Sequence, residues 1–162
     1  MNVMIVAAAA MVASLPVTAA SAQVTRHPGA AQSPILNGVT IGPNTTLVIL
    51  SGQVPPAVDA TKPADSIEAY GDTKTQAIGT FRKIETLLGQ RGLGMGDVVK
   101  LTVFLVGDPK LGGKLDFKGF SEAYAQFFGT TAQPNKAARS TVQISALANP
   151  GFLVEIEAIA AK

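Results

Sequence analysis

The stretch from Ala137 to Ala161, AARSTVQISALANPGFLVEIEAIAA, decides the fold of this chain. Apolar and polar residues alternate along two segments of it, Arg139–Ile144 and Leu153–Ile159, as they do in β-strands with one buried face. The connection between the segments contains Asn149-Pro150-Gly151, residues that favour turns and end strands. We therefore predict that the two segments form the two strands of a hairpin.

Successive side chains of a strand point to opposite faces of the sheet. The second predicted strand places its aliphatic residues on one face and Glu155 and Glu157 on the other. The first places Arg139 and Thr141 on the face opposite Val142. If the apolar sets share one side of the sheet, the guanidinium, the hydroxyl and the two carboxylates share the other. The pattern predicts one face that builds a core and one face that carries chemistry.

Composition restricts the classes of function. The chain has 162 residues, of which 47% are hydrophobic and 15% charged, which suits one compact domain. Its formal charge of +2 and the lack of a basic run argue against nucleic-acid binding. Without cysteine, the chain has no thiolate nucleophile and no cysteine-type metal site. The single histidine, His27, is predicted to be an exposed tail residue, and we expect no metal site.

The N-terminal segment has the pattern of a secretory signal. Residues 1–22 contain no charged side chain, and the apolar run Val3–Val12 is too short to span a membrane. The small residues Ala20-Ser21-Ala22 precede Gln23 as they do at signal cleavage sites. We predict a signal peptide over 1–22, cleavage after Ala22 and a periplasmic or secreted protein, with an uncleaved N-terminal tether as the alternative. Residues 23–34 are predicted to form a mobile arm.

Periodicity places the remaining elements before the hairpin. Two strands lead into an amphipathic helix, and a strongly apolar central strand leads into a second helix with an aromatic stripe. Two helices can cover only one face of a five- or six-stranded sheet, so the other face needs a partner. We therefore predict a closed homo-oligomer. The predicted strands are 35–41, 47–51 and 98–106, and the predicted helices end near Leu88 and span 116–128.

Four segments in series resemble the RidA/YjgF family of reactive intermediate (imine/enamine) deaminases. They are Ser51–Gln53, Val99–Leu105, Ala138–Val142 and Val154–Ala160, and with their spacing they cover nearly all of residues 33–161. The resemblance implies a chorismate-mutase-like α+β fold of mixed sheet with two helices on one face. It also implies a homotrimer whose three sheets form a central barrel, with three ligand sites in the clefts between subunits and no cofactor.

The resemblance also assigns roles to individual residues. Arg139 matches the family arginine that holds the substrate carboxylate, and Glu155 matches the acidic residue that positions the attacking water. Ser51 and Gly52 match contacts beside the ligand, and Thr141 matches a position in the pocket wall. The resemblance therefore implies that Arg139 and Glu155 are catalytic. It also implies that Arg139, Ser51, Gly52 and Thr141 bind substrate.

Two positions of the implied pocket depart from the family pattern. Ile35 stands where the family has the tyrosine that closes the pocket, and Ser121 stands where it has an asparagine on the second helix. Both are candidate substrate-binding residues here. Because the carboxylate clamp is kept and the surrounding residues differ, we expect a different or broader substrate than short enamines.

The implied reaction is hydrolysis of 2-imino or enamine acids to 2-oxo acids and ammonia, as in a 2-iminobutanoate/2-iminopropanoate deaminase-like hydrolase. The expected partners are other copies of the chain and a small 2-imino or 2-oxo carboxylate, with no nucleic acid and no membrane in the mature form. Three alternatives stay open: a buried ion network of Arg139 and the glutamates between subunits, a non-catalytic periplasmic carboxylate-binding protein, and a chaperone-like trimer.

Overall fold

The computed structural model describes residues 24–162, which form six strands and two helices joined by loops and short 3₁₀ turns. Neither helix in this part of the chain is long and apolar enough to cross a membrane. The predicted signal peptide lies outside the described residues, so export stays a prediction. The strands are β1 Val24–Pro28, β2 Leu36–Ile41, β3 Leu47–Gln53, β4 Val98–Val106, β5 Ala138–Ile144 and β6 Val154–Ala161, and the helices are α1 Thr73–Gly89 and α2 Phe117–Tyr124.

The six strands form one mixed sheet in the order β1-β2-β5-β4-β6-β3. This confirms the predicted α+β class and the central position of β4. The predicted hairpin is wrong, because β4 lies between the two strands and pairs parallel with β5 and antiparallel with β6. β4 is suited to this place, since Val98 and Val99 at its start are both buried and the later side chains alternate between partly buried and buried.

The region predicted as a mobile arm contains a strand. β1 pairs antiparallel with β2, and Arg26 on β1 donates to the carbonyl of Gly96 at 2.6 Å, which ties the strand to the turn before β4. His27 is exposed, as predicted, with its Nε2 2.8 Å from the hydroxyl of Thr40. The prediction failed because β1 is short and polar, and its pairing with β2 rather than burial of large side chains defines it.

Helix α1 lies across the sheet with the predicted stripe inward. Ala77, Phe81, Ile84 and Leu88 are all fully buried. The helix begins after Asp72, whose side chain accepts a hydrogen bond from the Thr75 amide at 2.8 Å. Such a cap satisfies one of the amides that have no partner in the first turn.

Helix α2 is shorter than predicted. It begins after Asp116, which caps the Gly119 amide at 2.8 Å, and it ends at Tyr124 instead of Phe128. The chain continues in turns that still bury Phe128, while Phe117 at the other end is 50% exposed. The aromatic stripe is therefore core only in part, and one end of it borders solvent.

Both helices pack on one face of the sheet, and the other face is open. Residues of β4 and β6 that point to the helices, such as Leu101 and Ile156, are fully buried. On the open face Leu47 is 47% and Ile49 is 71% exposed. The sequence predicts that this uncovered face includes Leu47 or Val48 and Val98 or Val99. The exposure of Leu47 confirms the first pair, whereas Val98 and Val99 are both buried.

Candidate functional site

The sheet register places Arg139 and Glu155 on opposite faces. Arg139 pairs with Leu101 on β4, and Glu155 pairs with Phe104. Paired residues of neighbouring strands share a face, and positions three apart on one strand do not. The prediction that these two side chains share a face is therefore wrong within one protomer.

The error lies in the phase of β5. Its aliphatic residue Val142 points to the open face and is 45% exposed, while Ala137, just before the strand, is fully buried on the side of Arg139. The polar set of β5 therefore faces the helices. A charged residue is stable there because α2 supplies aromatic rings around it.

Three rings of α2 surround the Arg139 guanidinium. Its central carbon lies 4.4 Å from the ring centroid of Tyr124, 5.1 Å from that of Phe120 and 5.9 Å from that of Phe117. A cation over an aromatic face is attracted by the negative charge of the π-system. The rings hold the guanidinium and, because they are not hydrogen-bond acceptors of ordinary strength, leave its N–H groups free for a ligand.

Burial lowers the pKa of Arg139, and the nearby Tyr124 opposes this change. Arginine begins from so high a pKa that it stays charged. Its Nη1 atom is buried and has no hydrogen-bond partner within residues 24–162. Since a buried donor without a partner is costly, this nitrogen is suited to an anionic ligand that enters from outside the chain.

A cavity of about 220 Å³ opens beside the guanidinium, and we call it the arginine cavity. It brings Arg139 together with Ser121, two of the predicted site residues. Its wall contains no aspartate or glutamate, so the arginine has no counter-charge there. The lining residues are Pro34, Ser121, Tyr124, Ala125, Phe128, Gly129, Lys136 and Arg139.

Two other predicted residues lie near this cavity without lining it. Thr141 follows Arg139 on the same face of β5, and its hydroxyl oxygen is buried with no hydrogen-bond partner in the described chain. Ile35 packs partly buried against the core, and its neighbour Pro34 is the residue that reaches the wall. Arg139, Ser121, Thr141 and Tyr124 make up what we call the arginine half-site.

The remaining predicted residues meet at an irregularity between β3 and β6. Leu50 pairs with Ala158 and Gln53 pairs with Ile156, so Ser51 and Gly52 together stand opposite one residue of β6. This is the arrangement of a β-bulge, a feature common beside active sites.

Glycine at position 52 allows the Glu155 side chain to lie against the β3 backbone. A Cβ atom added to Gly52 would overlap the Glu155 carboxylate. Close approach of a side chain to the backbone is one of the uses of glycine. Glu155, Gly52 and Ser51 make up what we call the glutamate half-site.

A hollow of about 240 Å³ on the open face extends from the glutamate half-site. Ser51 and Glu157 line it together with Lys100, whose ammonium donates to the hydroxyl of Ser140 at 2.9 Å. The prediction that Glu157 lies with Arg139 is wrong, because Glu157 pairs with Thr102 on the open face. One protomer thus presents two half-sites on different surfaces.

Sequence reasoning missed two residues of the arginine half-site and its cavity. Tyr124 belongs to the aromatic stripe of the second predicted helix, a pattern that indicates core residues, yet it is also the ring nearest Arg139. Its position three residues after Ser121 on one helix was the available signal. Lys136 lies in an irregular connection, and nothing in the local pattern marked it.

Comparisons with known proteins match most of the described residues. A family model described as endoribonuclease L-PSP matches residues 33–162. The chain is 34% identical over 138 residues to the 2-iminobutanoate/2-iminopropanoate deaminase of Salmonella typhimurium, covering 85% of this chain and 94% of that protein. It is 33% identical over 137 residues to TdcF of Escherichia coli, named as a reactive intermediate deaminase, covering 85% and 92%. The crystal structure of TdcF with bound serine aligns with a TM-score of 0.56 at 31% identity, covering 85% and 94%.

Proposed function

Because this chain belongs to the RidA/YjgF family, whose model and named relatives match it over most of its length, we propose that it hydrolyses 2-imino acids to 2-oxo acids and ammonia. Enamine acids enter the reaction after tautomerisation to the imine. The observation that carries the proposal is Arg139, whose buried Nη1 atom has no partner within residues 24–162 and whose side chain lines a cavity without a carboxylate.

Arg139 holds the substrate carboxylate in this proposal. Its planar fork of N–H donors matches a carboxylate with two parallel hydrogen bonds. Each charge-assisted hydrogen bond contributes about 1.5–3 kcal/mol, which is sufficient to orient a small acid. The aromatic rings around the guanidinium fix its plane, so the carboxylate enters a prearranged site.

The two half-sites act together only if they come from different protomers. Within one chain Arg139 and Glu155 are separated by the sheet, and the open face leaves Leu47 and Ile49 exposed. We propose a homotrimer with the open faces forming a central barrel, as the family resemblance implies. Each cleft then joins the arginine half-site of one protomer to the glutamate half-site of its neighbour.

The reaction needs orientation, a placed water and proton transfer. A water oxygen attacks the imine carbon and forms the C–O bond, while Glu155 accepts a proton from the water. Glu155 then gives this proton to the imine nitrogen, which yields a carbinolamine. In the collapse of the carbinolamine Glu155 takes the proton of the new hydroxyl and passes it to the amino nitrogen, so the C–N bond breaks and ammonia leaves as the C=O bond forms. One water is consumed, and one 2-oxo acid and one ammonia are produced.

Release of ammonia from freshly generated 2-iminobutanoate tests the proposal. The wild type is expected to accelerate the release, and Arg139→Ala is expected to abolish it while the sedimentation coefficient stays unchanged. Arg82→Ala, which removes an exposed arginine of α1, is the matched control and should behave as the wild type. An unchanged rate in Arg139→Ala would reject the role of this arginine.

The same proteins separate catalysis from binding alone. Calorimetric titration with 2-oxobutanoate measures whether the arginine cavity takes a carboxylate. Binding by the wild type that Arg139→Ala loses, without accelerated ammonia release, would identify a non-catalytic carboxylate-binding protein. Neither binding nor catalysis would leave only a structural or chaperone-like role.

A further inference from the structure

The arginine cavity contains a second cation, Lys136. The residue lies just before β5, and its aliphatic stem packs against Gly129, where an added Cβ would be 3.3 Å from the lysine Cε. The ammonium donates a hydrogen bond to the backbone carbonyl of Ser33 at 2.7 Å. These contacts along the stem and at the ammonium hold the charge at the cavity wall.

The charge of Lys136 is not balanced by any residue from 24 to 162. An ammonium has three N–H donors, and the Ser33 carbonyl takes one of them. In the part of the chain that the structure describes, no carboxylate lies within 4.0 Å of Lys136 or Arg139. The cavity wall has no acidic residue either. The two positive charges at one cavity repel each other, and a ligand that places a negative group beside each of them offsets this repulsion.

The two cations differ in the anion geometry that they favour. The guanidinium of Arg139 is a planar fork, which suits the carboxylate next to the reacting carbon. The ammonium of Lys136 is a compact point charge with donors that rotate, and it suits an anionic group at the end of a variable side chain. Together they distinguish a ligand with two anionic groups from a ligand with one.

We propose that the arginine cavity selects dicarboxylic 2-imino acids, with Lys136 holding the carboxylate of the substrate side chain. The inference rests on the proposed function, because the reaction is the same hydrolysis at the same carbon. The cavity volume of about 220 Å³ restricts the ligand to a short acid. The rings of Tyr124 and Phe128, which stack with their centroids 4.6 Å apart, line the cavity and give its wall an apolar surface for the methylene groups of the ligand.

Two other roles for Lys136 give different results in an experiment. The lysine is a purely structural residue if its function is to fix Ser33 and the segment that leads into β2. Alternatively, Lys136 forms an ion pair with Glu155 of the neighbouring protomer and neutralises its carboxylate. In either case its loss affects monocarboxylic and dicarboxylic substrates alike.

The test compares 2-iminoglutarate with 2-iminobutanoate as substrates for ammonia release, using wild type, Lys136→Gln and Lys136→Arg. The wild type is expected to favour the diacid in kcat/KM. Loss of one charged contact should lower kcat/KM of Lys136→Gln for the diacid by about tenfold or more and leave the value for the monoacid within about twofold. Lys136→Arg should keep the preference, and Lys83→Gln, which removes an exposed lysine of α1, should change neither rate.

An equal loss on both substrates, or a wild type without preference for the diacid, would overturn the inference. Calorimetry with 2-oxoglutarate and 2-oxobutanoate separates this failure from failure of the proposed function. If no imino acid releases ammonia, the proposed function fails, and the affinity ratio of the two 2-oxo acids in wild type and Lys136→Gln still decides the role of Lys136. A ratio that the substitution does not change would reject it.

Discussion

Arg139 is a charged residue in an environment of aromatic side chains, where cores normally contain apolar residues. Arg139 lies among the rings of α2, and its Nη1 has no hydrogen-bond partner in residues 24–162. Truncating a buried charged group usually relieves a cost as well as removing an interaction. We therefore expect Arg139 to be retained for the ligand rather than for stability, and the loss in Arg139→Ala to be one of function.

Gly52→Ala is expected to inactivate the glutamate half-site. The added methyl group overlaps the Glu155 carboxylate, and the glutamate must turn away from the bulge. Because displacement of a catalytic group by about 1 Å can reduce a rate a hundredfold, we predict a loss of about that size in ammonia release.

Gly38→Ala is the matched control for this substitution. Gly38 also lies in a strand, β2, and an added Cβ there meets no atom of the described residues within 4 Å. Near-wild-type activity in Gly38→Ala and loss in Gly52→Ala would agree with the bulge geometry. Wild-type activity in Gly52→Ala would show that the position of Glu155 is not critical.

At the scale of elements, the sequence identifies β2 to β6 and both helices but does not show how the strands pair. Alternation along β5 and β6 indicates two strands with two faces each, and the faces of β6 are predicted correctly. The insertion of β4 between them depends on long-range parallel pairing, which leaves no local signal. A shift of one residue in phase moves every side chain to the other face, and this is the error made for Arg139.

The residues at the start of each helix carry a local signal for its boundary, which strand pairing lacks. Asp72 caps α1 at the position expected for an acidic residue before an amphipathic segment. We predict that Asp72→Ala lowers the free energy of unfolding by about 1 kcal/mol at neutral pH, because the Thr75 amide loses its acceptor. Urea unfolding at neutral pH measures this difference.

The contribution of Asp72 is expected to depend on pH. Hydrogen bonds from the backbone and side chain of Thr75 lower the pKa of Asp72. A carboxyl group whose pKa is lowered in the folded state stabilises the protein fully when the pH is above the pKa of the unfolded chain, which is about 3.9. This stabilisation is lost as the pH falls through the pKa of the folded state. The difference between wild type and Asp72→Ala should therefore shrink in acid. Asp72→Asn keeps a hydrogen-bond acceptor and does not ionise, so its unfolding free energy should differ from that of Asp72→Ala by the same amount at every pH. If the difference between wild type and Asp72→Ala is also independent of pH, the carboxylate is excluded as the cause.

At the scale of the whole molecule, one protomer is incomplete in two respects. Its open face exposes Leu47 and Ile49, and its two half-sites lie on surfaces that do not meet. Sequence patterning predicts the uncovered face, because two helices cover only one side of a sheet. The pattern does not reveal which residues meet across the clefts, since that depends on the rotation between protomers.

The central claim is that Arg139 of one protomer and Glu155 of its neighbour form one site, and subunit mixing tests it most directly. Arg139→Ala and Glu155→Gln are each expected to be nearly inactive in ammonia release. After joint unfolding and refolding of equal amounts, about a quarter of the clefts should combine an intact arginine with an intact glutamate, and about a quarter of wild-type activity should return. Activity no greater than the mean of the two separate variants would contradict a site shared between protomers.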